Sequence, residues 1–281
     1  MRLLALAALV LPLAASPAFA AAPGRPLLVF CSPGSPGTAA EAQPTMDTFA
    51  AALNARAGLP SALAAVYEEA EDRGVARLRS KDAAAALVSL PFYLKHERAL
   101  ALRARLQAVP KGREALERWT LVAKKGRIAG PAALEGFTVA SIAGFAPAFV
   151  RGPALGGWGR LPASARVVQT GAVLTALRRA AAGEPVAVLL DGAQEAALAS
   201  LPFAAELEVV TRSPPLPAGV LAAVDARLPA RSWGKLEAAL LALPSEPAGA
   251  GALDAIQTTR FTALDEKALA GARKAYEDAA R

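Results

Sequence analysis

In this 281-residue chain, five short apolar runs each lead into a small polar residue or a glycine, and that recurrence is where chemistry should be sought. Ser32, Ser35 and Thr38 follow Leu27 to Cys31, and Ser89, Phe92 and Tyr93 follow the run beginning at Ala84. Ser141 and Gly144 come after Phe137 to Ala140, Thr170 and Gly171 after Val167 to Gln169, and Asp191 and Gly192 after Val186 to Leu190. Where a strand hands over to a helix, the helix N-terminus offers unpaired N–H groups and a partial positive charge, so this pattern suits capture of a small anion. Ser, Thr and Asp are also the preferred helix N-caps, so at any one position capping competes with ligand contact. For the set as a whole, convergence on one cleft is the better account.

Ser141-Ile142-Ala143-Gly144-Phe145-Ala146-Pro147 is the most informative of these segments, because small residues let backbone amides approach an anion closely. Gly34 and Gly37 permit a similar turn, without the Lys of a phosphate-binding loop. Tyr93 is placed to stack on a ligand or hydrogen-bond to it. Asp191 suits a ligand hydroxyl or ammonium, and would repel a dianion unless one partner carries a proton. The candidate ligand-binding residues are therefore Ser32, Ser35, Ser89, Tyr93, Ser141, Gly144, Thr170 and Asp191. His96 lies among Lys95, Glu97 and Arg98 and reads as solvated, while Cys31 reads as a buried small hydrophobe. One His and one Cys make no metal-ligand cluster, and no nucleophile with a matching base stands out. The expectation is a binding protein that uses no cofactor, rather than an enzyme.

These residues need elements to hold them. Apolar runs of strand length alternate with segments of helical period, which predicts α/β layering with mostly parallel strands. Strands are expected at Leu27 to Cys31, Ala62 to Tyr67 and Ala84 to Leu90, with helices from about Thr45 to Ala57 and Glu68 to Arg79. The same grammar restarts near Trp119 and runs through Phe137, Val167 and Val186 to Leu207-Glu208-Val209-Val210, predicting a second small sheet. Arg103 and Arg105 fall in a stretch read as helical, and the chain after Val224 is read as mostly helical. The stiff passage Ser213-Pro214-Pro215-Leu216-Pro217 marks the return from the second lobe. Lobe one is thus expected over 21–112 plus 215–281 and lobe two over 113–214, with two crossings forming a hinge.

Arg2, the apolar run Leu3 to Ala15 and Ala18-Phe19-Ala20 read as a cleavable secretory leader over residues 1–20, with no lipoprotein cysteine at the cut. A periplasmic protein follows, and no later window is long and apolar enough to span a membrane. The formal charge of +7 suits an anionic ligand, but Lys and Arg are scattered without a dense tract or interleaved aromatics, which argues against nucleic acid as a partner. A single cysteine excludes an internal disulfide. Of the 54% hydrophobic residues, Ala supplies much and carries no functional weight.

Several segments together resemble the periplasmic phosphate, phosphite and phosphonate-binding proteins of ABC importers, within the type II periplasmic binding fold. They are Ser32 to Pro36, Ala84 to Leu94, Leu121 to Arg127, Leu134 to Ala140, Gly183 to Asp191, Ser213 to Pro217 and Ala252 to Asp265. The resemblance implies a two-lobed monomer that closes on a phosphate- or phosphonate-like oxyanion and delivers it to an inner-membrane permease. It places the oxyanion at Ser141 and Gly144, with help from the first-strand loop, Tyr93, Thr170 and Asp191. Such families carry a denser Ser/Thr cluster where this chain has Ile142, Ala143 and Phe145. A ligand-binding sensor accessory and, less favoured, an exported enzyme are the alternative readings.

Overall fold

The computed structural model describes residues 25–225 and 227–281, so the expected leader lies outside the described residues. The described residues form thirteen strands: β1 (Leu27–Cys31), β2 (Ala64–Glu68), β3 (Ala83–Ser89), β4 (Leu102–Pro110), β5 (Leu116–Glu117), β6 (Thr120–Lys124), β7 (Thr138–Ser141), β8 (Arg166–Gln169), β9 (Val186–Leu190), β10 (Leu207–Arg212), β11 (Leu216–Pro217), β12 (Gly219–Val224) and β13 (Thr258–Ala263). They form two separate main sheets, ordered β13-β4-β12-β3-β1-β2 and β10-β6-β9-β7-β8. In the first sheet β1, β2, β3 and β4 run one way and β12 and β13 the other. In the second, β6 alone opposes the other four.

Both exceptions nearest the sheet centres have one cause. β6 and β12 follow the two crossings between lobes directly, with no intervening helix, and parallel pairing needs a long crossover. At the crossings β5 and β11 pair antiparallel, Leu216 opposite Glu117 and Pro217 opposite Leu116, as a two-stranded link.

Burial follows the sequence pattern. β1 and β9 are buried along their whole length, as continuous Leu/Val runs covered on both faces should be. One face of the first sheet packs on helices Ala39–Ala57 and Ala230–Ala242 through Phe49, Leu53, Leu236 and Leu240. Its other face shares a core with the second lobe, in which Leu27, Phe92 and Tyr93 join Leu121, Val139, Phe149 and Leu189. Helix Val173–Ala181 covers the far face of the second sheet through Leu177 and Ala180. Helix Glu266–Ala280 lies across the boundary. Its Ala275 backbone meets Gly152 so closely that a Cβ there would sit 2.2 Å from the Ala275 oxygen, while Arg273 bonds Tyr93 and Glu97.

Three expectations are corrected. The first helix starts at Ala39 rather than Thr45, because Thr38 and Glu41 form a reciprocal capping box that outweighs the missing N–H of Pro44. Arg103 and Arg105 sit on β4, where Leu102 and Leu106 are buried while the arginines reach outward, Arg105 over the Trp233 ring. The alternation of Leu102 to Leu106 is a strand signal that the charges obscured. β13 likewise replaces expected helix, as the half-exposed edge strand Thr258–Ala263.

Candidate functional site

Between the lobes lies a cavity of about 500 Å³. Lobe one supplies the loop after β1 (Ser32, Pro33, Ser35, Pro36), Thr45 and Met46 of the first helix, Tyr67 of β2, Val88 and Ser89 at the end of β3, and Gln257 and Thr258. Facing them are Ile142, Ala143, Phe145 and Asp191, with Arg113, Glu117 and Trp119 at the crossing. The lobes touch around this space. A Cβ at Gly34, which holds φ +86°, would lie 3.1 Å from Ile142 Cβ. Lys95 Nζ donates to the Phe145 carbonyl at 2.6 Å while pairing with Glu71 at 2.6 Å.

Ser32, Ser35, Ser89 and Asp191 line the cavity; Tyr93, Ser141, Gly144 and Thr170 are not among its lining residues. Tyr93 is fully buried, its hydroxyl accepting from Arg273 Nη2 at 2.6 Å and from the Ala104 N–H at 3.3 Å. The helix Leu90–His96 presents Pro91 to the cavity and carries Tyr93 into the core. Ser141 is fully buried and its Oγ accepts from the Ala143 N–H at 3.1 Å. Gly144 is glycine for packing, since a Cβ there would meet the Gln169 nitrogen and the Val168 carbonyl carbon of β8, each at 2.3 Å. Thr170 Oγ1 accepts from the Ala172 N–H at 3.0 Å.

Other helix starts are occupied in the same way. At the first helix, the Ala39 N–H donates to Glu69 Oε2 at 3.0 Å, and Thr38 and Glu41 close their box. Asp191 Oδ1 accepts from the Gln194 N–H at 2.8 Å, in a box closed by Gln194. Ser89 differs: it stands at the N-cap of Leu90–His96 without a side-chain capping bond. Ser35 donates to Ser32 at 3.0 Å. Capping therefore accounts for the hydroxyl of Ser141 and a local turn bond for that of Thr170, and the expected ring of anion donors is largely satisfied from within the chain.

The charged end of the cavity is one that sequence reasoning missed. Glu117, with 8% of its side chain exposed, accepts from Arg113 Nη1 at 2.8 Å and from the Gly192 N–H at 3.2 Å. Burial pushes its carboxyl up to about 7, with the Asp191 charge adding to the rise and Arg113 and the Gly192 N–H opposing it. Arg113, Glu117 and Asp191 come from a loop, a crossing strand and a helix start, and their spacing in sequence carries no motif. Two further lining residues keep unpartnered polar atoms: Trp119 at Nε1 and Tyr67 at its hydroxyl.

Burial, followed by the nearby Glu68 and Glu71 charges, raises the Cys31 thiol far above the range in which it would ionise near neutral pH. His96 lies away from the cavity, its side chain only 15% exposed, against the Phe92 ring and 2.6 Å from Glu71, so the expected solvated histidine is corrected. Burial lowers its affinity for a proton, against the pull of Glu71. Among the described residues no group of three or more His, Cys, Asp or Glu could hold a metal ion, and no helix is long and apolar enough to cross a membrane.

Solved structures share this arrangement. A Xanthomonas citri protein bound to chloride superposes with a TM-score of 0.72 over 90% of this chain and 98% of that one, at 16% identity. The fold is that of a two-lobed periplasmic binding protein. The binding-protein component of an ABC phosphonate transporter from Pseudomonas aeruginosa matches at a TM-score of 0.64 and 14% identity, over 91% of this chain and 87% of that one. PhnD1 of Prochlorococcus marinus in complex with methylphosphonate matches at 0.59 and 14%, over 90% and 97%. No protein-family model and no curated protein matches the chain. At these identities the likeness speaks for the fold.

Proposed function

We propose that this chain is an exported, monomeric solute-binding protein that captures a small ligand between its lobes, taken as 21–112 plus 215–281 and 113–214, and delivers it to an ABC importer. The observation that carries this reading is the cavity of about 500 Å³ walled by both lobes, with the paired β5 and β11 as its hinge. Hinge closure around a ligand gives a transporter a shape that reports occupancy. Neighbours that are binding proteins, two of them for phosphonate systems, support it. A leader over residues 1–20 fits delivery to the periplasm.

The phosphate- or phosphonate-like oxyanion fits the cavity less well than it fits the sequence. Ser141 and Thr170 bond the amides two residues ahead, Asp191 caps its helix, and Arg113 is bound to Glu117. A thermal-shift screen of the mature protein against phosphate, phosphite, phosphonates, sulfate and organic acids tests the class, because a ligand that binds only the native state raises its melting temperature. A rise with phosphonate and none with organic acids would restore the oxyanion reading. Silence toward every anion would remove it and leave the architecture untouched.

A further inference from the structure

Four observations describe what the cavity would accept. Its volume of about 500 Å³ lies within the range of pockets that enclose medium-sized organic molecules, far more room than a tetrahedral oxyanion fills. Much of its wall is apolar, including Pro33, Val88 and Ile142. Its hinge end holds two carboxylates against one guanidinium, and that guanidinium is already paired with Glu117 at 2.8 Å. Trp119 lines the cavity, is 3% exposed and keeps an indole N–H with no partner, so a ligand acceptor atom is wanted there.

Resting on the solute-binding reading, we infer that the ligand is a medium-sized organic cation: an apolar body, a protonated nitrogen set against Glu117 and Asp191, and an acceptor oxygen toward Trp119. The buried Glu117 and the half-buried Asp191 then gain the counter-charge that Arg113 alone does not supply, whereas an anion would be driven against them. The site also carries a proton signature. Glu117, faced by Asp191 on the helix start, by Arg113 on the preceding loop and by the Gly192 N–H, titrates at about 7. A cation favours its ionised form, so affinity rises as pH rises through 7; an anion would show the opposite slope.

The test uses matched probes on the mature protein: tyramine and tryptamine against 3-(4-hydroxyphenyl)propionate and indole-3-propionate, which carry a carboxylate in place of the ammonium, with methylphosphonate beside them. The amines are expected to raise the melting temperature and to bind about tenfold more tightly at pH 8 than at pH 6, following the ionised fraction of one group. That pH slope should vanish in Glu117→Gln, and affinity should fall in Asp191→Asn, where Asn preserves the helix cap. Stabilisation by the carboxylates or methylphosphonate but not by the amines would overturn the inference, as would an amine response unchanged in both variants or silence toward both series. Only silence toward the amines together with silence toward every anion of the screen above would count against the binding-protein reading itself.

Discussion

The polar residues behind the lobe-two wall and those at the hinge end of the cavity behave differently. Behind the lobe-two wall, outside the cavity lining, Ser141 and Thr170 spend their oxygens on the amides two residues ahead. At the hinge end, Glu117 is held by an arginine and an amide yet is desolvated and repelled by Asp191, which leaves it open to a further positive partner. A polar side chain serves its own backbone when the nearest unsatisfied group is a helix start in sequence. It serves a ligand when tertiary packing strips its water without completing its partners.

The largest effect that would sharpen this contrast is a pH dependence. Glu117 holds its proton to about pH 7 in the folded state, against an ordinary value of 4.5. The folded state therefore binds more protons than the unfolded chain across that window. Stability is unpenalised below about 4.5, declines as pH rises to about 7 and stays level above it. Against Glu117→Gln, the wild type should lose on the order of 3 kcal/mol between those limits. Urea unfolding of both proteins at pH 4.5 and pH 8 checks it, and equal slopes would mean that the hinge carboxyl is ordinary.

Next in size is Gly144→Ala. A methyl placed 2.3 Å from the β8 backbone forces a shift, and a loss of about 2–3 kcal/mol is expected. Full stability in this variant would show that the lobe-two wall has slack. Ser141→Ala should cost about 1 kcal/mol, the usual worth of an N-cap, without weakening any solute the protein binds. A clear loss of solute affinity at unchanged fold would return Ser141 to the site. Smallest is Ser89→Ala, expected within about 0.5 kcal/mol because no capping bond is lost, while solute affinity falls. A stability loss near 1 kcal/mol with affinity intact would make Ser89 one more cap.

Much of the fold could be read from the chain. Leu27–Cys31 and Val186–Leu190 are strands at their expected limits, because continuous Leu/Val runs ended by turn residues have few other stable uses. β4 and β13 were hidden, the first by arginines that a strand can point outward and the second by its half-exposed edge position. Of the candidate site residues, Ser32, Ser35, Ser89 and Asp191 line the cavity, while Tyr93 does not, being carried into the core by the same short helix that turns Pro91 to the cavity. Glu117 and Arg113 left no trace, since a strand only two residues long has no period to detect.

The chain by itself determined where strands, caps and turns fall, because apolar runs, capping residues and prolines act over a few neighbouring positions. Tertiary structure alone decided which polar ends face the gap and which carboxyl holds its proton near neutrality. The crossing strand must meet a helix start 75 residues further on before Glu117 loses its water and finds Asp191 beside it, and desolvation of that kind is a property of the packed molecule.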